Sequence, residues 1–493
     1  MRSTGDLMRS SKSKTGRLVR KLTLWAVIAA ALCNVIGGGI NVLIVDIQND
    51  IPGIGELVPW AILVGGIIAL VLSLVYSSLS TAMPRAGGEY IYISRSLSPF
   101  LAFVEGVLKW TGSVIAMGTV AYMDVIILRT ALHYVGWTAG EMFLSSTIGM
   151  IIGSLSLIWI FWLINYFGVR AYGKTVVVLA SLMILGGLII VYTGLTHDHQ
   201  DFERVIGKEI INPPQTVSLG KFMLAVSMLF WAYIGFTSIA QAGGEIEKPK
   251  VNLPRAFIIS SILITLYYFL YSYAFYHAVP WGYLVGLENA NVPQLIGLFY
   301  PPEFAVLITF FIFIALANDI PPMLYTKSRL VYSWARDGIL PKVFERTNRY
   351  GTPVVSLTAV ALVGSLIAVS CVFGGFFTEV NVVVLSRFVI YMLIAVSLIT
   401  LKHKNPKIYR QITFLKNRTL QIIVSLVVIL ISLGLMGVVV YYDLTSGKPL
   451  WKMATVQTLV IGVLGVFVYV WYVHKMKRQG KDPYKVFESL PAE

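Results

Sequence analysis

Little in this chain is suited to covalent or acid–base catalysis. The six histidines are scattered, and no HExxH, GxSxG or paired-aspartate motif occurs. His197 and His199 form a His-x-His pair, but with no third ligand nearby they read as part of a solvated loop, not a metal site. Cys33 and Cys371 lie in apolar runs, so there is no disulfide framework and no CxxC signature. The sequence therefore predicts no catalytic residue, no metal and no cofactor. What the residues do offer is backbone chemistry. Gly37, Gly38 and Gly39 stand in a row inside LTLWAVIAAALCNVIGGGINVLIVD (22–46). Glycine costs a helix interior on the order of 1 kcal/mol relative to alanine, so three together predict a break. In lipid, the backbone groups freed by a break are tolerated only against protein or a water-filled cavity.

A second interruption is expected in KFMLAVSMLFWAYIGFTSIAQAGGE (221–245), at Ile234-Gly235-Phe236, where Phe230, Trp231, Tyr233 and Phe236 surround Gly235. A third is expected at Asn318-Asp319-Ile-Pro321-Pro322. Charged groups inside membranes are costly and usually functional. Asp319 is the first candidate for a proton or cation contact, with Asn318 and Lys109 beside it as coupling or cation candidates. Glu105 and Lys109 are four apart, share a helical face and read as a structural pair. Asp124, Arg129 and Arg387 are expected toward the outer side, snorkelling or paired.

The elements that must position these residues are membrane spans. Of the 493 residues, 57% are hydrophobic and 13% charged, and a soluble chain carries about twice that charged share. Apolar runs place twelve spans at 22–47, 56–82, 99–132, 143–166, 174–195, 219–242, 254–279, 303–332, 353–374, 379–401, 419–442 and 453–474, each near the ~20 residues needed to cross. The net charge of +15 does not imply nucleic acid. Most Lys and Arg fall in the two tails and in alternate connections, the asymmetry that puts both termini in the cytoplasm. Contact with membrane lipids accounts for any remaining role of the basic excess.

Residues 1–21 read as a basic cytoplasmic tail and 475–493 as a second one. The connection MPRAGGEYIYISRSLSP (83–99) fits a short amphipathic helix at the interface. Gly65-Gly66 and the serines of the second span suit close helix packing. The longest outer connection runs over 196–218. EIEKPKVNLPRA (245–256) leads into the seventh span, with Pro249 and Pro254 marking a turn. SRLVYSWARDGILPKVFERTNRYGTP (328–353) is a basic connection.

The breaks in the first and sixth spans each lie about fifteen residues from the start of their span, and these two spans run in opposite directions. At 1.5 Å per residue both fall near mid-membrane. Spans over 22–195 and 219–401 then form two inverted five-helix units, with 402–474 outside the repeat. Paired interruptions in inverted halves point to a binding site. The outer half of the first span offers N–H groups near Gly38, Gly39 and Ile40 to a carboxylate. Carbonyls around Trp231, Ala232 and Tyr233 accept from an ammonium. A zwitterion fits the pair, with Trp231, Tyr233 and Phe236 packing on its side chain or lidding it.

VIGGGI (35–40), PRAGGEYIYISRSLSP (84–99), INYFGVRAYGK (164–174), WAYIGF (231–236) with EIEKPKVNLPRA, and SRLVYSWARDGILPKVF (328–344) occur in the order found in one family. The chain resembles the amino acid–polyamine–organocation (APC) superfamily of secondary transporters. The resemblance implies an all-α, leucine-transporter-like fold: twelve transmembrane helices, a 5+5 inverted repeat plus two C-terminal helices. It implies amino acid transport across the cytoplasmic membrane by alternating access. Carried over by position, Ile36, Gly37, Gly38 and Gly39 hold the substrate α-carboxyl group. Trp231, Ala232, Tyr233 and Ile234, with Gly235 and Phe236 at the break, take the amino group and gate the site. Met183 stands where some proton-coupled members carry a lysine, so coupling stays open between H+ symport, Na+ symport and exchange. Phe236 and Thr237, with no acidic neighbour at the break, favour a neutral or apolar amino acid over a cationic one. The competing readings are a polytopic membrane enzyme, and a sensor or channel on the same scaffold.

Overall fold

The computed structural model describes residues 20–287, 290–374, 380–447, 449–450, 453–480, 482 and 484–490. The tail expected over 1–21 therefore lies almost wholly outside the described residues. The architecture is helical, with no strand among the described residues. The first apolar run forms α1 (Leu24–Cys33) and α2 (Gly38–Asp50). Then come α3 (Val58–Ala82), α4 (Glu89–Ser96), α5 (Pro99–Val135), α6 (Thr138–Ser145), α7 (Thr147–Tyr166), α8 (Val169–Thr196) and α9 (His199–Ile206). The sixth run forms α10 (Leu219–Leu229) and two 3-10 turns, Phe230–Tyr233 and Phe236–Gln241. Next are α11 (Pro249–Ala278), the short α12 (Trp281–Leu284) and α13 (Val292–Gly297), then α14 (Pro302–Ala317) and α15 (Ile320–Arg336). The chain closes with α16 (Val354–Gly374), α17 (Val380–Lys404), α18 (Pro406–Tyr409), α19 (Arg418–Leu444) and α20 (Ala454–Arg478). Among the described residues, eleven helical segments are long and apolar enough to cross a membrane, and α1 is a further, shorter apolar helix. The chain is a multi-pass membrane protein.

Local chemistry sets the ends of these helices. The Thr23 hydroxyl accepts from the Ala26 N–H at 3.3 Å and starts α1. Ser146, Ser218 and Asn417 cap α7, α10 and α19 in the same way. Asp198 and Asp201 form a reciprocal capping box on α9. The small residues of the second span do bring helices together: a Cβ on Gly66 would overlap the Thr265 side chain of α11.

Four expectations about elements are corrected. The first break spans Asn34 to Gly37, while Gly38 and Gly39 already belong to the first turn of α2. α4 is not an amphipathic surface helix. All eight of its residues are buried, because it packs between α5 and α17 and its charges have partners inside the protein. Pro254 does not mark a turn but sits inside α11. Only the carbonyl of the exposed Lys250, near the helix start, loses its helical donor there. The basic connection expected from 328 is helical through Arg336, and Ser328 to Ala335 are buried.

Candidate functional site

The two broken segments meet. Their freed carbonyls are taken by side chains, as buried backbone in a membrane requires. The Asn34 amide donates to the Gly235 carbonyl at 2.7 Å, tying one break to the other. The Tyr268 hydroxyl of α11 lies 2.6 Å from the Val35 carbonyl and 3.2 Å from the Ala232 carbonyl. Asn318 donates to the Ile36 carbonyl at 3.2 Å, and Asn41 to the Gly37 carbonyl at 2.8 Å. Gly235 has φ 145°, a conformation that glycine adopts readily and L side chains do not, and a Cβ there would fall on the Asn34 carbonyl. The position of the first break follows from these contacts. A Cβ on Gly37 would overlap the Asp319 carboxylate, so the chain passes Asp319 at the residue without a side chain.

Between the breaks lies a cavity of about 60 Å³, room for a few waters at ~10–15 Å³ each. Asn34 and Val35 line it from the first break, and Trp231, Ala232, Ile234 and Gly235 from the second. α15 contributes Asp319, Met323 and Lys327, spaced four apart on one face. α5 contributes Gly112, Ser113 and Ala116, and α17 contributes Val383 and Arg387.

Several of the expected site residues are elsewhere. Ile36 and Gly37 are outside this wall, while the lining contribution of Gly38 and Gly39 lies outside what is described. The anion at the N-terminus of α2 is the chain's own Asp319, packed on Gly37. Tyr233 and Phe236 do not face the cavity. Tyr233 donates to the Ile62 carbonyl at 2.9 Å and Phe236 is fully buried, so of the three rings only Trp231 reaches it. Asn318 lies behind the wall, its amide 3.0 Å from the Met183 sulfur. Lys109 pairs with Glu89 of α4, not with Glu105, whose two oxygens have no hydrogen-bond partner. Burial alone would raise the Glu89 carboxyl, but the charge and hydrogen bond of Lys109 hold it below its ordinary value. Arg387 does not snorkel, and it forms no ion pair among the described residues. It is buried, donates to Ser113 at 3.1 Å and lines the cavity. Asp124 is buried, with neither carboxylate oxygen hydrogen-bonded. The His-x-His pair is not joined into a metal cluster among the described residues; His199 Nε2 instead contacts the Tyr276 carbonyl at 2.9 Å.

Lys327 and Arg387 were missed as site residues, although the sequence carried a signal for each. Lys327 follows Asp319 by eight residues on one helical face, and Arg387 is a charge inside an apolar span.

Near residue 21, buried ion pairs tie the helices together. Glu245, after the sixth-span turns, accepts from Arg329 Nε at 2.7 Å, Arg329 Nη2 at 2.9 Å and the Tyr325 hydroxyl at 2.6 Å. Its carbonyl accepts from the Lys21 and Leu22 N–H groups at 2.8 and 2.9 Å. Arg95 grips Asp337 through two 2.8 Å bonds, joined by the Tyr90 hydroxyl at 2.6 Å. Burial works against the Arg95 charge, but the hydrogen bond and charge of Asp337 prevail and raise its pKa.

Residues 22–466 match the amino acid permease family. The chain is 25% identical over 359 residues to an aspartate-proton symporter of Bacillus subtilis, covering 70% of this chain and 66% of that one. It is 26% identical over 406 residues to the human Asc-type amino acid transporter 1, covering 80% and 74%. An uncharacterized transporter of Mycobacterium tuberculosis is 24% identical over 491 residues, covering 95% and 98%. These relatives are named as transporters, none as an enzyme.

Proposed function

The chain belongs to the amino acid permease family, and on that premise we propose that it is a secondary transporter. In this reading it moves an amino acid across the cytoplasmic membrane by alternating access. The observation that carries the proposal is the pair of facing breaks, Asn34–Gly37 and Ile234–Gly235, with a polar-lined cavity between them. Twelve spans, inverted halves over 22–195 and 219–401, and cytoplasmic termini belong to the same reading. The matching spacing of the two breaks from the starts of their spans and the Lys and Arg residues that fall in alternate connections of the sequence support it.

In this scheme the α-ammonium faces the second lone pair of the Ala232 carbonyl, the first being used by Tyr268. The α-carboxylate approaches the N-terminus of α2 as Asp319 gives way. The cavity is too small for an amino acid as it stands, so the structure corresponds to a closed arrangement whose walls part on loading. Coupling to H+, coupling to Na+ and exchange remain the three modes, with Asp319 the residue at which a cation acts. From Phe236 and Thr237 the sequence favoured a neutral or apolar amino acid over a cationic one. Phe236 and Thr237 do not line the cavity, but Lys327 and Arg387 do, and they support the exclusion of a cationic side chain without favouring a neutral one.

Counterflow in proteoliposomes tests the proposal. Vesicles loaded with an unlabelled amino acid should concentrate the labelled one, and varied H+ and Na+ gradients separate symport from exchange. Binding without flux would make the chain a sensor, and chemical turnover of substrate would make it an enzyme.

A further inference from the structure

The cavity wall carries a charge pattern that amino acid transport in general does not require. Lys327 is 1% exposed and Arg387 5%. Buried lysine and arginine are nearly always paired with a carboxylate. Neither of these forms an ion pair among the described residues. Lys327 Nζ donates to the Gln241 amide oxygen at 3.3 Å. Arg387 Nη2 donates to the Ser113 hydroxyl at 3.1 Å, and its Nε has no partner. The nearest carboxylates are otherwise placed. Glu89 is taken by Lys109, and neither Glu105 oxygen is within hydrogen-bonding reach of a donor.

We propose that Lys327 and Arg387 read a carboxylate on the substrate side chain, so that the substrate class is the dicarboxylic α-amino acids. The inference rests on the reading of this cavity as an amino acid site. The complementarity is one of count and sign. The wall presents two basic side chains, Lys327 and Arg387, and one acidic side chain, Asp319. A dicarboxylic amino acid presents two anions and one cation. Within the lining itself, a neutral amino acid leaves the basic groups one in excess and a cationic one raises that excess to two, with Glu105 a further buried acid near them. Position agrees with charge. Asp319 lies against the first break, where the substrate backbone groups belong. Lys327 lies two helical turns along the same face of α15, and Arg387 reaches the cavity from α17. The residues that hold the backbone and those that read the side chain therefore come from different parts of the wall. Arginine suits this task, because its planar fork meets a carboxylate with two parallel hydrogen bonds.

The test is counterflow of labelled L-aspartate, L-glutamate, L-asparagine, L-leucine and L-lysine by the full chain in liposomes. Aspartate or glutamate should be carried, and lysine should not. Arg387→Gln and Lys327→Gln should each weaken aspartate uptake by roughly 10–100-fold, the value of a hydrogen bond to a charged group, while asparagine uptake holds or rises. Wild-type protein that carries asparagine or leucine but neither acid overturns the inference and leaves the transport reading standing. Folded wild-type protein that carries none of the five overturns the transport reading and the inference with it. Aspartate uptake unchanged in both glutamine variants overturns the assignment of the two residues. Should a glutamine variant fail to fold, Lys327→Arg and Arg387→Lys keep the charge. A preference for aspartate over asparagine in those variants supports the inference, and equal uptake of both overturns it.

Discussion

Removing the Glu245 carboxylate should open the packing that it now ties together near residue 21. Arg329 and Glu245 have side-chain exposures of 0% and 2%, so neither charge is solvated. Glu245→Ala deletes two guanidinium bonds at 2.7 and 2.9 Å and the Tyr325 bond at 2.6 Å. The Arg329 guanidinium still lies 3.7 Å from the centre of the Tyr325 ring, but a ring face does not replace a carboxylate. Leaving one partner of a buried ion pair uncompensated costs ~3–5 kcal/mol. If that cost is relieved by opening, the closed-to-open ratio shifts by roughly two to three and a half decades. The assay is hydrogen–deuterium exchange followed by mass spectrometry. Exchange should rise in peptides covering 20–24, 83–98 and 242–256, which hold the backbone bonds from Lys21 and Leu22 to Glu245 and from Gly87 to Gln241. Peptides of α7 and α19 should not change. The double variant Glu245→Leu with Arg329→Met should restore closure, because apolar pairs of similar volume replace buried ion pairs at little cost. Unchanged exchange in folded Glu245→Ala would refute the reasoning. So would a rise spread evenly over the molecule, which would mark the pair as a general stabiliser and not a closure.

Gly235→Ala should abolish flux, because it forces an L residue to φ 145° and drives its Cβ into the Asn34 carbonyl. The strain is ~1–3 kcal/mol before any collision is counted, and a melting temperature equal to wild type would contradict it. Lys109→Met should destabilise the fold by ~3–5 kcal/mol by stranding Glu89, and adding Glu89→Gln should recover most of the loss in thermal melting. On α9, the hydrogen bond from the Asp201 N–H holds the Asp198 carboxyl below its ordinary value. A depressed acid contributes stability above its unfolded pKa and loses it as pH falls through the folded one. Exchange of 199–206 should therefore rise only at acid pH, and Asp198→Asn should remove that pH dependence.

The breaks were legible because glycine runs and a Gly inside an aromatic cluster are unusual in an apolar span. The position of the first break was not. Local propensity points to Gly37–Gly39, yet the chain breaks at Asn34–Gly37, since Asp319 approaches Gly37 from a helix nearly three hundred residues away in sequence. The partner of Lys109 was hidden for a related reason. Spacing by four favoured Glu105, whereas the close packing of α4 against α5 brought Glu89 to it. The charge of the wall was half legible. The Asp319, Met323 and Lys327 stripe is a sequence pattern, but its meeting with Arg387 depends on the face that α17 turns inward, which its nearly uniform apolar sequence does not reveal.

The way the breaks are satisfied bears on where specificity resides. The carbonyls of Ile36, Gly37 and Gly235 accept hydrogen bonds from side-chain amides, and the single Tyr268 proton is shared between the nearer Val35 carbonyl and that of Ala232. The irregular backbone is therefore held in shape without a substrate, and loading it requires little ordering. A preorganised backbone of this kind recognises what all α-amino acids share and distinguishes poorly among them. Discrimination must come from groups that change free energy strongly with ligand charge. In this cavity those are the side chains of α15 and α17, two buried cations without carboxylate partners. In the proposed scheme they belong to helices separate from the breaks, so a substitution at 327 or 387 is expected to change which side chain is accepted and to leave intact the geometry that receives the backbone.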